Sequence, residues 1–132
     1  MKVKQIHLTL VLCLFITGCA TLRPESTFKL REAEQIGLPT SNIKKSNEVT
    51  AGALNVLPGI GNVYLACTSD EWYNWIIFPV NLVTWPFSIV WGVPQAVVDA
   101  NTINKQATAD YYSFDERGRA IFEKAKAKSE NE

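Results

Sequence analysis

TAGALNVLPGIGNVYLAC (residues 50–67) and WYNWIIFPVNLVTWPFSIVWGVPQAVV (residues 72–98) hold most of the apolar mass of this chain. Only the polar, acidic turn Thr68-Ser69-Asp70-Glu71 separates them. From Ser46 to Asn104 there is no Lys or Arg, and Trp72, Trp75, Trp85 and Trp91 all fall in the second stretch. Charged residues make up roughly a quarter of an ordinary soluble domain, so this cation-free run is a strong departure. Pro58, Pro79, Pro86 and Pro94 punctuate it. A proline inside a helix removes a backbone donor and costs roughly 3 kcal/mol. The pattern predicts an all-α fold, a small helical hairpin or bundle of proline-broken apolar helices, with breaks near Pro58, Pro79 and Pro86.

Two arrangements satisfy that pattern. Segments 50–67 and 76–98 are long enough to form a hairpin in, or dipped into, a bilayer. Lys44 and Lys45 precede the pair and Lys105 follows it, so both basic flanks would lie on one side. Trp72 and Trp75, beside the acidic turn, would then be interfacial anchors. Alternatively, several short helices fold on one another as a soluble domain with an aromatic core. That gives Asn55, Asn62, Asn81 and Asp99 the partners they would need in lipid. The balance favours a compact hairpin that touches a membrane without clearly spanning it.

Working outward, residues 113–132 read as a charged C-terminal helix or tail, with Ser113-Phe114-Asp115-Glu116 as a capping box. Only Ile121, Phe122 and Ala125 form an apolar strip on it. Pro94 suits a first helical position, and Ala96, Ala100, Ile103, Ala107 and Tyr111 recur at helical spacing. The apolar hairpin domain is thus expected over residues 49–112. On the other side, residues 19–48 are polar and read as a tether. A short helix is predicted there from Phe28 to Ile36, capped by Ser26 or Thr27 and stopped at Gly37-Leu38-Pro39. Leu30, Ala33 and Ile36 would share one face of it.

The N-terminus is basic at Lys2 and Lys4, apolar from Ile6 to Ile16 and small at Gly18, and it ends at Cys19. This is secretory-signal architecture, and Ile16-Thr17-Gly18-Cys19 resembles the bacterial lipobox. The resemblance implies cleavage between Gly18 and Cys19 and diacylglyceryl transfer to the Cys19 thiol. It also implies removal of residues 1–18. Ala20, not Asp, follows the cysteine, which resembles the signal for export to the outer membrane of Gram-negative bacteria. The expected location is the cell envelope, lipid-anchored, on the periplasmic face of that membrane.

Processing would change the chemical inventory. His7, the one histidine, and Cys13 leave with the signal, and Cys19 becomes a thioether. Cys67 stays as the one free thiol, expected as a small buried hydrophobe. No intrachain disulfide, Cys/His zinc site or His-dependent nucleophile can then be assembled, and no catalytic or cofactor-binding residue is assigned. Loss of Lys2 and Lys4 leaves a formal charge of about −2, with no basic patch for nucleic acid. Gly59-Ile-Gly61 lacks the third glycine and the βαβ setting of a dinucleotide site. It reads as a turn, with Pro58 fixing φ and the glycines permitting tight geometry. Asp99 reads as a structural, hydrogen-bonded carboxylate.

Pro58-Gly-Ile-Gly-Asn-Val-Tyr-Leu65, the second apolar segment and Asp99 together resemble the TM2 domain over about residues 50–105. That family has two membrane helices, a Gly-rich stretch with an aromatic-Tyr-Leu-like element ending the first, and an Asp just beyond the second. The resemblance places Gly61, Tyr64 and Asp99 at those positions and brings no catalytic residue with it. The expected function is that of a membrane-anchored envelope lipoprotein, a binding or structural component without catalysis. Its expected partners are the membrane, through Cys19, and an envelope protein. The alternative is a carrier of a small hydrophobic ligand or lipid in the aromatic hairpin. An enzyme ranks below both.

Overall fold

The computed structural model describes residues 20–69 and 72–131, and all regular secondary structure among them is helical, as the sequence predicts. The signal segment, Gly18, Cys19 and the Asp70-Glu71 pair lie outside the described residues. Six helices follow in order: α1 (Pro24–Gln35), α2 (Glu48–Leu54), α3 (Ile60–Thr68), α4 (Tyr73–Thr84), α5 (Ile89–Phe114) and α6 (Glu116–Ser129).

Helix α5 is the spine. Helices α1, α2, α3 and α6 all pack on it, and α4 packs on α3. The chain uses it as two halves. Ala96, Ala100 and Ile103 meet Ala51 of α2 and Leu65 of α3 in one apolar cluster. Further along, Tyr112 meets Ala33 of α1 and Phe122 of α6 in a second, flanked by Ile36 and Leu38. Gly52 on α2 lets the two helices approach closely, since a Cβ there would lie 2.8 Å from Val97 Cγ2 of α5.

The prolines act selectively. Chain breaks fall around Pro58, between α2 and α3, and Pro86, between α4 and α5, as expected. Pro79 and Pro94 break nothing and lie inside α4 and α5. A lost backbone bond of roughly 3 kcal/mol ends a helix only where packing offers no return. Pro94 lies two residues before buried Ala96, on the half of α5 that receives α2 and α3. Helix α5 therefore starts at Ile89, not near Pro94.

The N-terminal segment is folded onto the domain instead of hanging as a tether. Helix α1 starts at Pro24, four residues before the predicted Phe28, because proline is pre-set for the first turn. It ends with Gly37 at φ 75, where Leu38 N–H donates to Ala33 O at 2.8 Å and Gly37 N–H to Glu34 O at 3.1 Å. This double closure satisfies the last carbonyls and lays Leu38 over the helix end. Leu30 and Ala33 are buried on the expected face. Helix α6 is likewise anchored. Phe122 is buried, with its ring 5.9 Å from Tyr112 and Lys29 Nζ 3.2 Å from its centroid. The α6 cap is Asp115, accepting from Arg117 N and Gly118 N at 2.9 and 3.1 Å, and α5 runs through Ser113, the expected cap.

Candidate functional site

The candidate site lies at the junction of the charged and apolar halves, where the described chain begins. Asp99 is fully buried on α5, and its Oδ1 accepts from the backbone N–H of Ala20 at 2.7 Å. The carboxylate expected to be structural thus fixes the residue next to the predicted lipid acceptor. Three residues on, the backbone N–H of Arg23 donates to Gln106 Oε1 at 3.2 Å. The Arg23 guanidinium nitrogen Nη2 reaches both oxygens of Asp110, at 2.9 and 2.7 Å. Asp99, Gln106 and Asp110 all lie on α5, so one helix holds the whole N-terminal segment.

A cleft of about 440 Å³ opens beside this segment, lined by Thr21, Arg23, Lys45, Ser69, Gln106 and Asp110 with Ile103 and Ala107 beneath. Its far wall is held by Asn104. The buried Asn104 Oδ1 accepts from Lys45 N–H and Ser46 N–H, both at 2.9 Å. Its Nδ2 donates to Ser46 O and to Glu48 Oε1, both at 2.8 Å. The backbone N–H of Glu48 and the Asn104 amide hold the Glu48 carboxyl below its ordinary value. This clamp was not legible in the sequence, because an asparagine on a polar helix face is usually solvated.

Beyond Asp99 the polarity inverts. Asn62, Asn74 and Asn81 are buried between α3 and α4. Asn62 Nδ2 donates to Asn74 Oδ1 at 3.1 Å, and Asn81 Nδ2 donates to Asn62 Oδ1 at 2.7 Å. Trp91 Nε1 donates to Asn81 Oδ1 at 3.2 Å, and Ser88 Oγ donates to Asn81 O at 3.0 Å. The buried Asn55 amide donates to Gly92 O, tying α2 to the start of α5. Meanwhile Trp72, Trp75, Val83, Trp85, Phe87 and Val90 are exposed. Trp72, Trp75 and Trp85 thus form no aromatic core of the kind the soluble alternative expected, and Trp91 alone is half-buried, against the asparagine amides that lie between α3 and α4. Asn62 and Asn81 were expected to need partners and have them on both amide atoms, and Asn55 has one through its Nδ2. Asn74 was overlooked, although its spacing of seven from Asn81 puts both on one helix face.

The predicted turn residues have packing roles. Gly59, after Pro58, has φ 73 and caps α3, and a Cβ there would lie 2.9 Å from Phe78 O. A Cβ on Gly61 would run into Ala51 O. The half-buried Tyr64 offers its hydroxyl oxygen to Asn47 N–H at 2.9 Å. Cys67 is exposed, contrary to expectation, because it falls on the outer side of α3. Among the described residues no cluster of three or more His, Cys, Asp or Glu side chains could hold a metal ion, and no helix is long and apolar enough to cross a membrane. The two segments that resemble the TM2 hairpin, residues 50–67 and 76–98, are each divided between two helices, at Pro58 and at Pro86.

An all-α bundle with a polar-filled, apolar-surfaced end is thus the class of structure present. Comparison with family models, with curated proteins and with solved structures gave no match to this chain.

Proposed function

We propose that the chain is an envelope lipoprotein, anchored through Cys19, that works as a binding or structural component without catalysis. The observation that supports it is the bond from Ala20 N–H to Asp99. A lipid-bearing residue at position 19 would be joined to the domain through one residue already held by a buried carboxylate. The domain would ride against the membrane surface, not on a slack leash. The residues of the junction are suited to holding chain, since Asp99, Asn104 and Gln106 all accept backbone N–H groups. Two acyl chains make such an attachment stable, whereas one gives only marginal binding, about 10⁴ M⁻¹. With Ala20 after the cysteine, the periplasmic face of an outer membrane is the proposed location. The carrier alternative is weaker, because the hairpin interior is filled by amides, which would have to give up hydrogen bonds to admit an apolar ligand.

Cys19→Ser tests the anchor. The variant should lose palmitate labelling and accumulate as full-length precursor, since a thiol is the acceptor the processing chemistry needs. Undiminished labelling in that variant would refute the proposal.

A further inference from the structure

We infer that the apolar half of this molecule, within residues 49–69 and 72–98, dips into the acyl region of one bilayer leaflet, with the end of α3, the start of α4 and the Ala20–Asp99 contact at the membrane surface. This rests on the anchored reading above and adds a second, non-covalent attachment to it. Three independent features identify lipid as the occupant of the exposed apolar face.

The first is inverted polarity. Val83, Phe87 and Val90 are 84, 75 and 80 % exposed, while Asn62, Asn74 and Asn81 between α3 and α4 are at most 1 % exposed. In water this arrangement discards the main driving force for folding, and an exposed apolar patch of this kind marks an interaction surface. In lipid it is what physics demands, with polar groups paired inside and apolar side chains outside.

The second is charge. The sequence has no Lys or Arg between Ser46 and Asn104, and its acids from Val49 to Val98 are confined to Asp70 and Glu71. Those two fall between the C-terminal end of α3 and the start of α4. That end of α3 is level with the junction, because Thr68 Oγ1 bonds Ser46 Oγ at 2.9 Å and Ser46 is held by Asn104. Trp72 and Trp75 start α4 beside that turn, where indoles favour the headgroup layer. Val83, Trp85 and Phe87 lie at its other end. Twelve residues of α4 extend about 18 Å, enough for one leaflet of a hydrocarbon core about 30 Å thick and too short for both.

The third is the placement of Ala20. It is fixed to Asp99, at the boundary between the cation-free half of α5 and the half that carries Lys105. An anchor on the preceding residue would enter the bilayer at that boundary.

The natural tryptophans report on this directly. The full chain, expressed with its signal and purified acylated, is reconstituted into phosphatidylcholine–phosphatidylglycerol vesicles with or without bromine on mid-chain carbons. A variant keeping only Trp85 (W72F/W75F/W91F) should lose most of its emission to bromine, and a variant keeping only Trp72 should lose much less. Because Trp91 bonds Asn81, the unaltered protein is measured as well and should also be quenched. The doubly substituted V83D/V90D protein should keep its helical circular dichroism and recover its emission, since both positions are exposed and pack against nothing that a carboxylate would disrupt. Equal emission in the two kinds of vesicle, for the unaltered protein and for the Trp85 variant, overturns the inference. So does a crosslinked dimer through residue 83 without quenching, which would make the occupant a second copy. Mass spectrometry of Cys19 separates the two claims. Quenching without a diacylglyceryl group sinks the anchor and leaves insertion standing, and acylated protein without quenching does the reverse.

Discussion

Asp99 does more than any other single residue to define this molecule. It is buried on the central helix, and it joins a backbone amide 79 positions away in sequence. Asp99→Leu keeps the branched shape, with bulkier ends, and removes the acceptor, leaving Ala20 N–H without its partner. The expected cost is about 1–3 kcal/mol, read as a lower urea midpoint, with the helical signal retained before the transition. An unchanged midpoint would mean that the N-terminal segment is not held there. Glycine matters at few positions. Gly59 needs its positive φ, and Gly61 has Ala51 O where a side chain would start. Gly61, Tyr64 and Asp99 stood out in the sequence through the resemblance to the TM2 domain, and Asp99 also as an acid in an apolar, cation-free run. Asn104 did not, because its importance comes from Lys45, Ser46 and Glu48, which reach it across nearly 60 positions.

At the scale of elements, helix type and approximate extent were readable from spacing, and so was the face of α1 that carries Leu30 and Ala33. The weak points were all contacts made at long range. Pro79 and Pro94 carry the same local signal as Pro58 and Pro86, and only tertiary packing tells a tolerated proline from a break. The tether and the last helix looked peripheral because their apolar content is thin. A single Phe122 nonetheless closes a core with Tyr112 and Ala33. Phe122→Ala should therefore cost about 3–5 kcal/mol, the usual range for emptying a buried aromatic site. Chemical denaturation followed by circular dichroism would measure it. A loss well under 1 kcal/mol would restore α6 to the periphery, since surface changes rarely exceed half that value. The inverted hairpin was half legible. Three of its asparagines were conspicuous in an apolar run, but composition does not say whether tryptophan or amide faces inward.

For the whole molecule, acid is the weak side. Glu32 is held below its ordinary 4.5 mainly by its hydrogen bond to Lys126, and Glu48 by its own backbone N–H and Asn104. Both carboxyls ionise more readily folded than unfolded, so their contribution is complete above the ordinary value and disappears as pH falls through the lowered folded values. Burial raises the Tyr112 hydroxyl above its ordinary 10.0, and Glu32 raises Lys126 above 10.5. Those contributions are complete below the ordinary values and are lost as pH rises past them. Thermal midpoints should form a plateau between these limits and drop below pH 4.5. Glu32→Gln and Glu48→Gln together should flatten the acid limb. Both side chains are largely solvated, so the change should be small, and an acid limb as steep as the parent's would assign the loss to other groups.

If the chain is exported and acylated as proposed, the Ala20–Asp99 bond would also set an order of events in time. Residues 19 and 20 would emerge directly after the signal segment, and Asp99 79 residues after Ala20. Until then Asp99 could not hold Ala20, and an acylating enzyme would have open access to its neighbour. Once α5 arrived and docked, that access would narrow. Folding would thus act as a clock on modification: lipid first, closure second.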